Sequence, residues 1–199
     1  MSVDGDVLAP SRILRFRAAS SALHQRVDDS VMQAAPFAKR ENYARFLRFQ
    51  YRLHLRVAPL YAAPAFQALL PGLASRERLS RVENDLLDLG LARPDIARPD
   101  VADPAVALPL PEALGWLYVV EGSNMGAAFL LKAAIKLDLS ERFGARHLAA
   151  HPEGRGLHWR RFTEALDAIA LTPEEDRRAE AATISAFSHV QDLVREELA

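Results

Sequence analysis

Helical spacing of apolar residues runs along almost the whole chain, and this feature restricts the fold more than any other. Apolar side chains recur three and four residues apart in every long segment, and no strict alternation predicts a strand. Prolines and glycines mark the breaks between successive helices. The sequence therefore predicts an all-α fold, a single-domain bundle of about six to eight helices that can hold a cofactor between two facing helices.

The predicted helix boundaries follow the same spacing together with the usual end signals. The helices are expected over about 11–33, 41–62, 76–89, 111–137 and 157–169, and from Thr172 to the C-terminus. The last one starts with a capping threonine, a proline and two acids, which suit the first turn of a helix. Residues 91–111 hold five prolines and are predicted to form a long loop. Residues 1–10 are expected to be a flexible N-terminus and 11–199 one helical domain.

Composition narrows the classes of function. The 199 residues include no cysteine, which excludes disulfides, thiolate catalysis and iron–sulfur clusters. We expect a cytoplasmic protein, because neither a signal peptide nor an apolar run long enough for a membrane span is visible. We also expect a monomer. The pI near 6.6 argues against nucleic acid as a partner.

Charge is spread unevenly although the formal net charge is only −1. Residues 1–60 carry ten Lys and Arg against five acids, whereas residues 171–199 carry seven acids against three arginines. The basic part can hold an anionic ligand or dock an acidic partner. A solvated face of helical arginines is the alternative.

His24 is the candidate metal ligand on the first helix. It shares a face with Val27 and Asp28, since residues three and four apart are neighbours on a helix. Asp28 can accept a hydrogen bond from one imidazole nitrogen and so direct the other nitrogen toward a metal. A histidine at the edge of the core is the alternative from this residue alone. The other five histidines are interpreted as surface or packing residues.

The segment from Gly122 to Gly126 interrupts an apolar helix. Each glycine inside a helix costs about 1 kcal/mol relative to alanine, and two of them four residues apart leave bare backbone on one face. Either a flat ligand or another helix can lie there. Ser123 and Asn124 favour the ligand, because a bundle core does not normally hold polar side chains without partners. Met125 is expected to point into the core.

Together the two helices predict a heme site. One helix offers an imidazole as axial ligand, and the other offers a surface without side chains that leaves the sixth coordination position open. Segment 114–132 (LGWLYVVEGSNMGAAFLLK) also resembles the distal helix of short bacterial heme oxygenases, and residues 23–26 (LHQR) resemble their proximal-histidine segment. Residues 71–76 and 143–148 are similar to the same family, so the resemblance covers about residues 11–199.

The resemblance implies roles for individual residues. His24 would be the proximal iron ligand, with Asp28 as its hydrogen-bond partner in place of the glutamate of many relatives. The distal catalytic segment consists of Gly122, Ser123, Asn124 and Gly126. Further heme-binding residues are Arg17, Tyr118 and Lys132, of which the first two are implied to bind the propionates. Met32 and Ala133 stand where some relatives carry lysines that accompany another heme orientation, so we expect α-meso cleavage.

The reaction implied by the resemblance is oxidative cleavage of heme by O2 to biliverdin, CO and ferrous iron, for iron release or bilin supply. No flavin or iron–sulfur motif is visible, so a separate ferredoxin or flavoprotein reductase would be the electron donor. A heme carrier or sensor without catalysis is the alternative. A di-iron carboxylate site is set aside, because no glutamate lies three residues before any of the six histidines.

Overall fold

Helices account for all the regular structure in the computed structural model, which describes residues 11–96 and 108–198. Within these residues no β-strand occurs, so the predicted all-α fold is confirmed. No helix among them is long and apolar enough to cross a membrane. The α-helices are α1 (Arg12–Gln33), α2 (Arg40–Ala62), α3 (Pro64–Leu69), α4 (Leu79–Asp88), α5 (Leu110–Ile135), α6 (Arg155–Ala168) and α7 (Pro173–Leu198).

The ends of α1 and α7 follow the signals in the sequence. Ser11 caps α1, since its hydroxyl accepts a hydrogen bond from the backbone N–H of Leu14 at 3.4 Å. Thr172 and Glu175 form a reciprocal capping box at α7. The Glu175 N–H donates to the threonine hydroxyl at 3.3 Å, and the Thr172 N–H donates to the glutamate carboxylate at 2.8 Å.

The helix predicted over 76–89 starts later than expected. A 3₁₀ turn occupies Leu73–Arg76, and α4 begins only at Leu79. The Glu77 carboxylate accepts from the backbone N–H groups of Leu79 and Ser80, which fixes the start of the helix there. The loop predicted over 91–111 lies partly outside the described residues, and the N-terminal segment 1–10 lies wholly outside them.

α7 is the common support of α1 and α5. Both helices pack along it. α5 crosses it at Gly115, where a Cβ atom would lie only 2.6 Å from the carbonyl oxygen of Ala179. α1 and α5 also meet each other in an edge-to-face ring pair of Phe16 and Tyr118, whose centroids are 5.3 Å apart.

Ion pairs between the basic N-terminal part and the acidic α7 account for much of the charge asymmetry. Arg12, buried at 7% exposure, pairs with Asp176 at 2.7 Å. On α2, Arg52 pairs with Glu197 at 2.9 Å. These arginines therefore serve contacts within the chain, which the sequence alone did not distinguish from a docking surface.

Candidate heme site

His24 lies on the exposed side of α1. Its side chain is 60% exposed, and its Nε2 atom lies 3.5 Å from Oδ2 of Asp28, one turn further along the helix. The ring rests on Phe187 of α7 at a centroid distance of 5.3 Å. The structure thus places the imidazole between a carboxylate and an aromatic ring, with its remaining surface open to a ligand.

α5 changes environment halfway along its length. In its first half, residues 113–121, every residue except the half-buried Tyr118 is buried. Most residues of 123–129, which we call the open stretch of α5, are exposed. Met125 and Phe129 are 43% and 63% exposed, so the prediction that Met125 points into the core is wrong. Contiguous exposed apolar side chains of this kind mark a surface that another molecule covers.

The two glycines of α5 have different surroundings. A Cβ atom on Gly122 would lie 3.6 Å from the ring of Trp159 on α6, whereas a Cβ atom on Gly126 would have nothing within 4 Å. Gly126 therefore presents bare backbone to open space. This is the point at which a flat molecule can approach α5 most closely.

Two hydrogen bonds hold the segment between the glycines. The Ser123 hydroxyl donates to the carbonyl oxygen of Val120 at 2.7 Å. The carbonyl oxygen of Asn124 accepts from Nη1 of Arg155, on α6, at 3.0 Å. The glycine segment is thereby tied to α6.

Arg17 and Tyr118 lie close together, whereas Lys132 lies apart from them. Burial raises the pKa of Tyr118, and the nearby positive charge of Arg17 acts in the opposite direction. Lys132 is exposed in the last turn of α5. It lies about 21 Å along the helix axis from Tyr118, given a rise of about 1.5 Å per residue. The structure therefore brings Arg17 and Tyr118 together but separates both from Lys132.

Glu121 anchors a buried ion pair that the sequence analysis missed. Its side chain is 2% exposed and accepts hydrogen bonds from the Tyr61 hydroxyl at 2.7 Å and from Nη1 of Arg76 at 3.0 Å. Burial raises the pKa of Glu121, while the charge of Arg76 and the two hydrogen bonds act to lower it. The two hydrogen bonds satisfy the carboxylate immediately before Gly122.

Asp85 and His147 form a second buried polar pair. His147 lies in the 3₁₀ turn Arg146–Leu148. The Asp85 carboxylate accepts from the backbone N–H of His147 at 2.9 Å and lies 2.7 Å from its Nδ1. Arg78 donates to the His147 carbonyl oxygen. Among the described residues the Nε2 atom of His147 has no partner. Burial lowers the pKa of His147, and it lowers the pKa of the neighbouring His54 to about 3.

Comparison with known proteins agrees with this arrangement. The family model for heme oxygenase matches residues 96–196. Over 200 residues the chain is 42% identical to heme oxygenase PigA of Pseudomonas aeruginosa, covering 98% of this chain and all of that protein. It also resembles a crystal structure of NO- and CO-bound heme oxygenase from Neisseria meningitidis, with a TM-score of 0.85, 40% identity and coverage of 96% and 93% of the two chains. The chain therefore belongs to the heme oxygenase family.

Proposed function

We propose that this chain is a heme oxygenase that binds heme between α1 and α5 and cleaves it with O2 to biliverdin, CO and ferrous iron. The observation that carries the proposal is the open stretch of α5, whose exposed Met125 and Phe129 flank the bare backbone of Gly126. His24 supplies an exposed imidazole on the adjacent helix. Both relatives named above are themselves heme oxygenases.

The residues present fit a heme. A porphyrin is flat and largely apolar, so it can cover Met125 and Phe129 while lying close to Gly126. A neutral imidazole is a common axial ligand of heme iron. The absence of a side chain at Gly126 would leave room for O2 between α5 and a bound heme.

In this proposal His24 binds the iron and Asp28 orients the ring. One imidazole nitrogen can bind iron while the other donates a hydrogen bond to the carboxylate, which makes the ligand a stronger donor. The nitrogen that now faces Asp28 is Nε2. For Nδ1 to face Asp28 and Nε2 to bind iron, the exposed side chain has to adopt other torsion angles about its Cα–Cβ and Cβ–Cγ bonds.

Arg17 and Tyr118 form the anchor for the heme propionates. A guanidinium and a phenol can both donate hydrogen bonds to a carboxylate. Lys132, about 21 Å further along α5, can reach heme only at the edge away from that anchor. Because the propionates are held at one end only, one orientation of the heme is favoured. We expect cleavage at the α-meso carbon.

Heme supplies the iron that activates O2, and its own ring is the substrate. The chain supplies a distal surface without an ionisable side chain, since residues 122–126 are Gly, Ser, Asn, Met and Gly. The Ser123 hydroxyl donates its proton to the carbonyl oxygen of Val120. Its oxygen can therefore accept a hydrogen bond from water but cannot donate one. Protons therefore reach the site through water held by backbone and Ser123.

Electrons come from a separate protein in this proposal, a ferredoxin or flavoprotein reductase. The test is an optical titration of the purified chain with hemin, followed by a reductase system in air. We expect a Soret band to form, then to disappear as biliverdin absorbance and CO appear. A Soret band that survives reductant and O2 would contradict the enzymatic reading and favour a heme carrier, and no Soret band would contradict heme binding itself.

A further inference from the structure

Three side chains at the start of α6 form a cluster that the heme site does not use. His151 and Glu153 lie in the loop before α6, and His158 lies in its first turn. One donor atom from each of the three lies within 4.8 Å of the other two. The two imidazole rings stack with centroids 4.0 Å apart and planes 12° apart.

We propose that His151, Glu153 and His158 bind a divalent first-row transition metal ion. Two imidazoles and one carboxylate are donors that such ions prefer. Metal–ligand bonds of about 2.1 Å place tetrahedral donor atoms about 3.4 Å apart, so the cluster has to contract, and the two imidazole rings have to turn out of their parallel stack to point a nitrogen at the same ion. Two of its members lie outside any helix, where the backbone can make this adjustment.

The donor atoms decide which ions can bind. Arg76 is paired with Glu121 at 3.0 Å, and Arg78 donates to backbone carbonyls, so both charges stay where they are and repel every divalent cation alike. Two imidazole nitrogens favour Zn²⁺, Cu²⁺, Ni²⁺ and Co²⁺ over Mg²⁺ and Ca²⁺, which bind mainly to oxygen.

Arg161 is the competitor of the metal for the carboxylate. Its Nη1 atom lies 2.5 and 2.6 Å from the two oxygens of Glu153. The side chains of Arg161 and Glu153 are 56% and 40% exposed, and exposed pairs of this kind are weak. Removal of Arg161 should therefore strengthen metal binding, which a purely structural role of the cluster does not predict.

The test uses the purified chain without heme, because Asn124 and Met125 of the proposed heme site line the same cavity as His151 and His158. Zn²⁺ binding is measured by calorimetry, and Cu²⁺ binding is followed by electron paramagnetic resonance and by tryptophan quenching. Trp159 suits the second readout, because it follows His158 directly and lines the same small cavity. We expect one strongly bound ion per chain and a Cu²⁺ spectrum with coupling to two nitrogens.

The variants separate this site from other metal-binding histidines. His158→Ala and His151→Ala should each weaken Zn²⁺ binding at least about tenfold, and Glu153→Gln severalfold. Arg161→Ala should tighten it severalfold, a gain that misfolding cannot imitate. His189→Ala, a histidine packed against Trp116, is the matched control and should change nothing. Zn²⁺ binding that is absent in the natural chain, or unchanged in His158→Ala, would overturn the proposal.

Discussion

The two halves of α5 are both rich in apolar residues but lie in opposite environments. Residues 113–121 are buried against the rest of the bundle, and their one carboxylate, Glu121, is fully paired. Residues 123–129 leave Met125 and Phe129 exposed. Burial of the first half already stabilises the fold, at roughly 25 cal/mol per Å² of apolar surface. The second half gains that stabilisation only when a ligand covers it.

This contrast separates two kinds of effect. Changes in the first half of α5 should alter the free energy of unfolding, and changes that face the open stretch should alter heme binding. A variant that changes the free energy of unfolding and the free energy of heme binding by similar amounts would contradict this expectation.

The largest effect is expected for His24→Ala. Loss of the axial ligand should lower heme oxygenase activity by more than about a hundredfold, since even residues that only orient a metal ligand are worth about 10–100-fold. The free energy of unfolding without heme should change by less than about 0.5 kcal/mol, because the side chain is exposed. Biliverdin formation and urea unfolding measure the two quantities. Gln25→Ala, the exposed neighbour, is the control, and turnover retained in His24→Ala would refute the ligand assignment.

Glu121→Ala should cause the largest loss of stability. It leaves the buried guanidinium of Arg76 without its carboxylate, and breaking a buried pair in this way costs about 3–5 kcal/mol. Glu112, on the same helix as Glu121, forms a partly exposed pair with Arg178 of α7, and Glu112→Ala should cost less than about 1 kcal/mol. Urea unfolding of both variants makes the comparison. Equal losses would show that the Glu121 pair contributes no more than a surface pair.

Lowering the pH should reduce the free energy of unfolding through the buried His54. Its pKa is lowered to about 3 in the folded chain, below its ordinary value of about 6.5 in the unfolded chain. Between these values the unfolded chain binds the additional proton, so stability falls as pH falls through this window, by up to about 1.4 kcal/mol per pH unit. His54→Gln should reduce that slope when unfolding is measured in urea between pH 7 and 5. Parallel pH curves for the two proteins would contradict this expectation.

Substitutions of the two glycines should affect stability with opposite signs. Gly126→Ala should raise the free energy of unfolding by about 0.5–1 kcal/mol, since nothing opposes the new methyl group, and it should weaken hemin binding. Gly115→Ala should destabilise the fold by about 1–3 kcal/mol, because its Cβ would lie 2.6 Å from the backbone of α7. Thermal unfolding and hemin titration measure both quantities. Unchanged hemin binding in Gly126→Ala would show that Gly126 does not contact the heme.

Local patterns in the sequence predicted the features that depend on local interactions. The spacing of apolar residues placed most of the helices, and Ser11 and Thr172 marked two of their starts correctly. The later start of α4 was missed, because it depends on the side chain of Glu77, which accepts hydrogen bonds from the first N–H groups of that helix and which the spacing of apolar residues does not reveal. The proximity of His24 and Asp28 also follows from their spacing on one helix.

Contacts between distant parts of the chain could not be predicted in this way. Glu121 and Arg76 are 45 residues apart, and Asp85 and His147 are 62 residues apart, so no local pattern joins them. The error at Met125 has a related cause. Periodicity shows that a side chain is apolar and on one face of a helix, but it does not show whether protein or ligand covers that face.

The position of α7 also has a consequence for synthesis. α1 and α5, which carry the two sides of the proposed heme site, both precede α7 in the chain, and Arg12 reaches its partner 164 residues later. Ribosomes release the N-terminal part first, so both sides emerge before the helix that holds them in place. The apolar surface of α5 therefore spends time without its support, and a heme-binding geometry can arise only once α7 has been made.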